Sequence, residues 1–196
     1  MKLIEDINNK PQKHVAKNNY WKSKGIEVMR YRLPVGDYIM VNDKVQDVLD
    51  RKAKRGIDVK MMDFLGTYNI CVDTKKDIQE LISDICGKQH DRFRDECCLS
   101  QNNGIKLIVL VENHESTIKC GQKTITVPYV NDLKALFKWV NPRLFLFRNG
   151  KQRFPTATRG AQLAKACLTM QLKYGVQFLF CKPEEAGKRI IEILRG

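Results

Sequence analysis

The strongest constraint on the fold is the continuous apolar run at residues 105–111, which reads IKLIVLV. A strand with apolar side chains on both faces is typical of the buried centre of a sheet that has helices packed on each side. Other apolar runs alternate along the chain with helical patterns, and this alternation favours a mixed α/β fold over an all-helical one. We therefore predict an α/β protein with a mixed central β-sheet flanked by helices.

The other elements follow from apolar periodicity and from the placement of glycine and proline. Short strands are predicted at residues 2–6, 26–33, 37–41, 69–74 and 176–181. Helices are predicted at residues 14–25, 76–87, 90–104, 130–140, 159–175 and 183–194. Asn131 is the predicted N-cap of the fourth helix. The 196 residues fit a single domain, 1–196, in which the basic stretch at residues 43–69 is an insertion between two strands.

The net charge of +13 indicates a polyanionic partner, because basic groups release counterions from phosphate backbones. Nucleic acid is the favoured partner, with simple solubility or an anionic membrane surface as the alternatives. The charge is uneven, since residues 132–196 hold 13 basic and four acidic side chains. We therefore expect most of the positive field to lie on the C-terminal third of the chain.

Two further features bear on where the protein works. The longest apolar run is far shorter than the ~20 residues that span a bilayer, and the acidic and polar groups of the first ten residues do not suit a signal peptide. The seven cysteines form no CxxC pair and have no ligand-like spacing with the three histidines, which argues against a disulfide framework or a zinc site. We expect a cytoplasmic protein with no membrane partner.

Two Asp-x-Lys triplets are candidates for part of a phosphodiesterase site. Residues two apart on a strand point to the same face, so Asp73 and Lys75 would reach one pocket while the carbonyl of Thr74 stays free to bind a metal ion. A second carboxylate must come from a neighbouring strand, and Asp37 follows a bend at Gly36. Carboxylates hold Mg²⁺ or Mn²⁺, and a nearby cation relieves the charge of the phosphate.

The other triplet is Asp50-Arg51-Lys52. It has the same spacing, but the chain around it lacks the apolar periodicity of a packed helix. Asp73 is instead followed by a well-patterned helix and then by the apolar run. We therefore favour Asp73, with an ordinary solvated strand end as the alternative interpretation of such a triplet.

The order of these parts resembles the nuclease domain of the XPF and Hef branch of the PD-(D/E)XK superfamily. That family reads Gly-Asp, Val-Glu-Arg-Lys, an acid at a helix start, Arg-Phe-x-x-Glu, and an apolar strand ending in Val-Glu. The matching segments here are Gly36-Asp37, Val72-Asp73-Thr74-Lys75, Arg92-Phe93-Arg94-Asp95-Glu96 and IKLIVLVEN. The match runs from about residue 2 to residue 113, which is over half of the chain.

The resemblance implies a restriction-endonuclease-like fold and a DNA endonuclease that depends on Mg²⁺ or Mn²⁺, often acts at branches or junctions, and is frequently a homodimer. It implies that Asp37 and Asp73 hold the metal ion and that Lys75 assists as general base or charge stabiliser. A second group of site residues comprises Asp6, Arg92, Glu96 and a helix acid, which falls on Gln79 by strict count or on Glu80 after one insertion. Thr74 stands where the family has arginine, and the Arg-Glu that commonly follows Asp6 is absent.

A separate segment at residues 142–160 interleaves basic and aromatic side chains. The basic residues that we expect to bind DNA phosphates are Arg143, Arg148, Lys151, Arg153 and Arg159. Exposed rings of Phe145, Phe147 and Phe154 can stack on unpaired bases, whereas the alternative is that Phe145 and Phe147 face the core. The basic spacer is either a DNA-gripping flap or a solvated loop.

These observations lead to one prediction of function and one alternative. We predict a metal-dependent DNA endonuclease that hydrolyses phosphodiester bonds in branched or junction DNA, in a bacterium or its phage. The alternative is a non-catalytic DNA-binding module that keeps the nuclease fold and the basic surface. The missing arginines favour the alternative, and an assay of DNA cleavage discriminates between the two.

Overall fold

A computed structural model describes residues 1–9, 15–120 and 122–196. The strands in chain order are β1 (Lys2–Asp6), β2 (Glu27–Tyr31), β3 (Tyr38–Met40), β4 (Ile70–Lys75), β5 (Lys106–Glu112), β6 (Ser116–Cys120), β7 (Lys123–Val127), β8 (Phe147–Arg148), β9 (Lys151–Gln152) and β10 (Gln177–Cys181). The helices are α1 (Val15–Ser23), α2 (Asp43–Lys54), α3 (Ile78–Cys86), α4 (His90–Asn102), α5 (Leu133–Lys138), α6 (Gly160–Tyr174) and α7 (Ala186–Arg195). Single 3₁₀ turns occupy Met61–Phe64, Pro142–Phe145 and Pro183–Glu185. His14, the first residue of the first predicted helix, lies outside the described residues.

Six strands form one mixed sheet in the order β10-β5-β4-β3-β1-β2. β3 is antiparallel to its neighbours β1 and β4, whereas the other neighbouring pairs are parallel. Two small sheets, β6-β7 and β8-β9, are hairpins outside the main sheet. The prediction of a mixed α/β sheet flanked by helices is confirmed.

The interior strand β5 is buried on both faces, as its apolar run predicts. Val109 and Val111 belong to a core that also contains side chains of α2, α3, α4 and α6. Ile108 and Leu110 belong to a second core on the opposite face, which α1 and α7 complete. Full burial of each such side chain stabilises the fold by about 1.5–3 kcal/mol, so the sheet is a rigid support for the loops at its edges.

The antiparallel direction of β3 brings the candidate site residues to one edge of the sheet. β1 and β4 end at this edge, and β3 begins there, one residue after Asp37. The register pairs Tyr38 with Val72, and Asp37 N donates a hydrogen bond to Val72 O over 2.8 Å. Asp37 therefore lies beside the end of β4 that carries Asp73.

The prediction that the chain around Asp50 does not form a packed helix is wrong. α2 buries Val45, Val48 and Leu49, which recur at helical spacing. Asn42 caps the helix, because its side-chain oxygen accepts a hydrogen bond from Val45 N over 2.9 Å. The apolar stripe has only these three members among many charged residues, so its periodicity is weak in the sequence.

Two predicted helix starts are also corrected. Asp132, and not Asn131, caps α5 by accepting a hydrogen bond from Ala135 N over 2.6 Å. Aspartate and asparagine are equally good caps, so the sequence alone does not choose between these neighbours. The last helix begins with a 3₁₀ turn at Pro183, and α7 follows it. Over the described ranges, every helix is too short or too polar to cross a bilayer.

Candidate active site

The edge where β1, β3 and β4 meet forms a cleft with a volume of about 480 Å³. The predicted site residues that line it are Asp6, Asp37, Asp73, Thr74, Lys75, Glu80, Arg92 and Glu96. The side chain of Gln79 turns away to Asn141, where its Nε2 donates a hydrogen bond to Oδ1 over 2.8 Å. Of the two candidates for the helix acid, Glu80 is therefore the one that faces the cleft.

A sharp bend at Gly36 directs the Asp37 carboxylate towards β4. Gly36 has a φ of +76°, and a Cβ at this position would lie 2.8 Å from Cys71 Cβ, so only glycine fits. Asp37 Oδ2 accepts hydrogen bonds from Thr74 N over 2.8 Å and from Thr74 Oγ1 over 2.6 Å. Thr74 thereby fixes one carboxylate oxygen of Asp37 and leaves the other oxygen outside this pair of hydrogen bonds.

Lys75 is buried between two carboxylates. Its Nζ lies 2.7 Å from Asp73 Oδ2, 2.7 Å from Asp84 Oδ2 and 5.4 Å from the centre of the Phe93 ring. Burial alone would lower the pKa of this ammonium, but the negative charges of Asp73 and Asp84 outweigh burial and raise the pKa above its usual value. The lysine therefore stays protonated, which favours the role of charge stabiliser over that of general base.

Asp84, the second partner of Lys75, was not identified in the sequence. It lies on α3, four residues after Glu80 and on the same side of the helix, and it is only 4 % exposed. In the sequence its one signal is an acid placed inside the apolar stripe that Leu81 and Ile85 form. A buried carboxylate needs a cationic partner, and Lys75 is that partner.

Three carboxylates of the cleft raise one another's pKa. Burial raises the pKa of Asp73 to about 7, and the charge of Asp37 adds to the shift although Lys75 opposes it. Burial, with the charge of Asp73, raises the pKa of Glu96 to about 7. Burial also raises the pKa of Asp37, with the charge of Glu96 adding to it. Such mutual repulsion is typical of a site that binds a cation.

Asp6 and Arg92 form part of the cleft wall. Asp6 Oδ1 accepts a hydrogen bond from Asn8 N over 2.7 Å, and Oδ2 accepts one from Leu33 N over 2.8 Å. Because both oxygens are engaged by the main chain, Asp6 orders the two loops and is a poor candidate for a free metal ligand. Arg92 is an exposed cation on the opposite side, on the first turn of α4.

The second Asp-x-Lys triplet lies on α2, away from the cleft lining. Asp50 Oδ1 accepts a hydrogen bond from Gln46 Nε2 over 2.8 Å, and Arg51 Nε lies 3.0 Å from Asp47 Oδ2. These are contacts between neighbouring turns of a surface helix. The geometry therefore favours Asp73 over Asp50.

The basic and aromatic segment at residues 142–160 begins beside the helix that carries Glu80. All five predicted DNA-binding residues, Arg143, Arg148, Lys151, Arg153 and Arg159, are exposed. Phe147 is 55 % exposed, so the alternative that it faces the core is wrong. The ring of Phe154 lies under two guanidinium groups, at 5.6 Å from Arg143 Cζ and 5.2 Å from Arg153 Cζ.

A family model of the ERCC4 domain matches residues 8–194. The chain belongs to the ERCC4 domain family. The fold is similar to that of XPF from Aeropyrum pernix in complex with DNA, with a TM-score of 0.50 and 15 % sequence identity. The similarity covers 99 % of this chain and 63 % of that chain, so the ERCC4 domain spans less than two thirds of the XPF chain. No curated protein matches the sequence.

The family and the fold confirm the resemblance to XPF and Hef nuclease domains that the motifs indicate. They support a function of the DNA nuclease type for this ERCC4 domain. Thr74, which stands where the family pattern has arginine, donates its hydroxyl to Asp37 Oδ2 over 2.6 Å.

The oxygen ligands of the ERCC4 domain suit a hard divalent cation. Asp73 Oδ2 is buried and lies 2.7 Å from Lys75 Nζ, yet it accepts no hydrogen bond of ordinary geometry from any described residue. Within the described ranges, no group of three or more His, Cys, Asp or Glu side chains is arranged to hold a metal ion. Mg²⁺ is commonly bound through one or two carboxylates while it keeps several waters. Asp37 and Asp73 therefore fit such an ion.

Proposed function

We propose that this ERCC4 domain is a DNA endonuclease that depends on Mg²⁺ or Mn²⁺ and hydrolyses phosphodiester bonds in branched or junction DNA. The observation that carries the proposal is that Asp37 and Asp73 line one open cleft, with the buried ammonium of Lys75 beside Asp73. The net charge of +13 and the similarity to an XPF chain solved with DNA support DNA as the substrate. A homodimer remains a prediction.

The residues of the cleft have separate roles in this proposal. Asp37 and Asp73, with the carbonyl of Thr74, would hold the ion, which when bound neutralises phosphate charge and makes water a better nucleophile. Asp84 keeps the ammonium of Lys75 in place, and that ammonium supplies a fixed positive charge near the scissile phosphate. Arg92, which is exposed on the cleft wall, can bind an adjacent phosphate.

The test is the substitution Asp73→Asn in a cleavage assay with forked, Holliday-type and linear DNA. With Mn²⁺ or Mg²⁺ present, we expect cleavage to fall by about 10²-fold or more, the size typical for the loss of one electrostatic catalytic group. DNA affinity should stay within about two-fold, because base and phosphate contacts lie elsewhere. Chelation of the metal should abolish cleavage by the unsubstituted protein.

The matched control is Asp50→Asn, which makes the same change in the other Asp-x-Lys triplet and should leave cleavage intact. Undiminished cutting by the Asp73→Asn protein would overturn the assignment of the site. DNA binding without cleavage by the unsubstituted protein, on every substrate and with either metal, would support the non-catalytic DNA-binding module instead.

A further inference from the structure

The β8-β9 hairpin exposes apolar side chains that no core explains. Phe147 is 55 % exposed and Leu146 is 39 % exposed. Both precede the turn of a hairpin that pairs with no strand of the six-stranded sheet. An aromatic ring at the end of a small hairpin is typical of a surface that binds a partner through that ring.

The hairpin holds this ring in a defined position. Its two turn residues, Asn149 and Gly150, have φ of 50° and 72°, as a tight type I′ turn requires. The strand pairing places Phe147 opposite Gln152, and Arg153 N donates a hydrogen bond to Leu146 O over 2.8 Å. The closed turn restricts the position of the ring, so binding costs less conformational entropy.

The charge around the hairpin is complementary to a polyanion. Residues 133–183 contain ten lysine and arginine residues and no aspartate or glutamate. Arg143 Cζ and Arg153 Cζ lie 5.6 Å and 5.2 Å from the centre of the Phe154 ring, and this packing orients their guanidinium groups. Oriented guanidinium groups bind phosphate through paired hydrogen bonds.

A single buried amide attaches the segment that carries the hairpin to α3. Asn141 is 1 % exposed, its Oδ1 accepts the hydrogen bond from Gln79 Nε2 over 2.8 Å, and its Nδ2 donates to Thr158 O over 2.8 Å. Arg143 N also donates to Asn141 Oδ1, over 3.0 Å. Gln79 precedes Glu80 on α3, so the hairpin is attached to the helix that carries a residue of the cleft.

We infer that the hairpin at residues 146–153 binds a single-stranded stretch of the nucleic acid whose phosphodiester enters the cleft. Phe147 stacks on an unpaired base, and the surrounding arginine and lysine residues bind the phosphates. In a duplex the bases are already stacked on one another, so the ring gains a partner only where the strand is unpaired. The inference rests on the proposed binding of DNA, but it does not need the cleavage step.

The test is the binding of three fluorescent DNA probes in the presence of a chelator, so that no cleavage occurs. The probes are a single-stranded oligonucleotide, a fork with single-stranded arms and a blunt duplex. For Phe147→Ala we expect about a ten-fold or greater loss of affinity for the first two probes, since stacking contributes about 1–3 kcal/mol per base. Affinity for the blunt duplex should stay within about two-fold.

Two further variants keep the test decisive. Leu172→Ala removes an apolar side chain that is 89 % exposed on α6, and it should change none of the three affinities. Phe147→Trp keeps a stacking ring and should restore the binding of single-stranded DNA. Phe147 is exposed, so neither substitution should change the melting temperature.

An unchanged affinity of Phe147→Ala for single-stranded DNA would overturn the inference. An equal loss of affinity for all three probes would also overturn it. So would a Phe147→Ala protein that keeps its affinity for DNA but no longer binds vesicles of anionic phospholipid, because the ring would then serve a membrane surface. Because the assay lacks metal, its outcome is separate from that of the proposed function. If the protein binds single-stranded DNA through Phe147 but cleaves no substrate, only the proposed nuclease activity is refuted. If the protein cleaves DNA and Phe147→Ala leaves the affinity for single-stranded DNA unchanged, only this inference is refuted.

Discussion

Glu96 shows how the carboxylates of the cleft repel one another. Its carboxylate accepts a hydrogen bond from Gly36 N over 2.8 Å, yet burial and the charge of Asp73 raise its pKa to about 7. A carboxyl group whose pKa is raised by folding stabilises the folded protein while it is protonated and loses that contribution once it ionises. Ionisation of Glu96 at neutral pH therefore opposes folding.

This leads to a prediction about stability and pH in the absence of metal. The contribution of Glu96 is fully present below its ordinary pKa of 4.5 and is lost as the pH rises through about 7. Glu96→Gln keeps an oxygen that can accept from Gly36 N and removes the charge. We expect the melting temperature of the variant to exceed that of the unsubstituted protein at pH 8, by about 2–4 °C for each kcal/mol of repulsion removed, and to match it at pH 4.

The control is Glu184→Gln, at an exposed position, which should leave the pH profile of the melting temperature unchanged. A melting temperature of Glu96→Gln that is equal to or lower than that of the unsubstituted protein at pH 8 would contradict the prediction. Addition of Mg²⁺ or Mn²⁺ should reduce the difference, because a cation relieves the same repulsion.

Some residues of the candidate site can be predicted from the sequence and others cannot, for a physical reason. Asp37, Asp73 and Lys75, which line one cleft, each belong to a short motif in which spacing sets direction. Asp84 was missed because its role depends on which side of α3 meets β4, and no local pattern states that contact. Glu80 and Gln79 could not be separated for the same reason.

Among the elements, β3 depends on one glycine. Gly36 combines a φ of +76° with a Cβ position 2.8 Å from Cys71 Cβ, directly before Asp37. Any side chain here would push β3 away from β4. The short strand is therefore the element through which a remote substitution would displace the carboxylate of Asp37 in the cleft.

We predict that Gly36→Ala destabilises the fold and reduces cleavage. The matched control is Gly104→Ala, because Gly104 has a φ of +63° and no atom lies within 4 Å of the position that its Cβ would take. Both variants should lose about 1–2 kcal/mol for the left-handed backbone, and Gly36→Ala should lose about 1–3 kcal/mol more for the collision. Equal free energies of unfolding, measured with urea, would refute the steric argument.

The sequence predicted the long elements better than the short ones. β5, α3 and α6 carry strong periodicity or a continuous apolar run, and their predicted spans agree with the structure to within a few residues. The hairpins β6-β7 and β8-β9 were not predicted. In β6-β7, Ile118 and Val127 pack against the core, but they make a weak local pattern, and β8-β9 consists of two residue pairs closed by a turn. α2 was missed because its three buried apolar side chains form a weak periodic pattern among many charged residues.

For the whole molecule, the net charge of +13 should make DNA binding strongly dependent on salt. With about six phosphates neutralised, we expect the affinity for duplex DNA, measured with a chelator, to fall by about 10³-fold between about 50 and 200 mM salt. The double variant Arg148→Ala, Lys151→Ala should lower the slope of log affinity against log salt by about 1.8, because two phosphate contacts are lost.

The control for that slope is Lys188→Ala, Arg189→Ala on α7, where both basic groups already contact Glu192, at 3.6 Å and 3.0 Å. It removes the same formal charge from another surface. A slope that falls equally for both pairs would mean that total charge, and not the hairpin surface, determines the salt dependence.

The order of the strands could not be derived from the sequence by periodicity. Placing β3 between β1 and β4, and antiparallel to both, requires contacts between distant residues that no local pattern encodes. The resemblance to a nuclease family supplied that arrangement indirectly, since it implies the fold as a whole.

The hydrogen bonds of Asn141 have a consequence for the product of the reaction. Because this one amide joins α3 to the start and the end of the segment that carries the hairpin, it fixes that segment relative to α3. On the proposals above, the distance from the scissile phosphate to the stacked base would therefore be constant. Cleavage would leave a fixed number of nucleotides between the break and the base stacked on Phe147, whatever the sequence of the DNA.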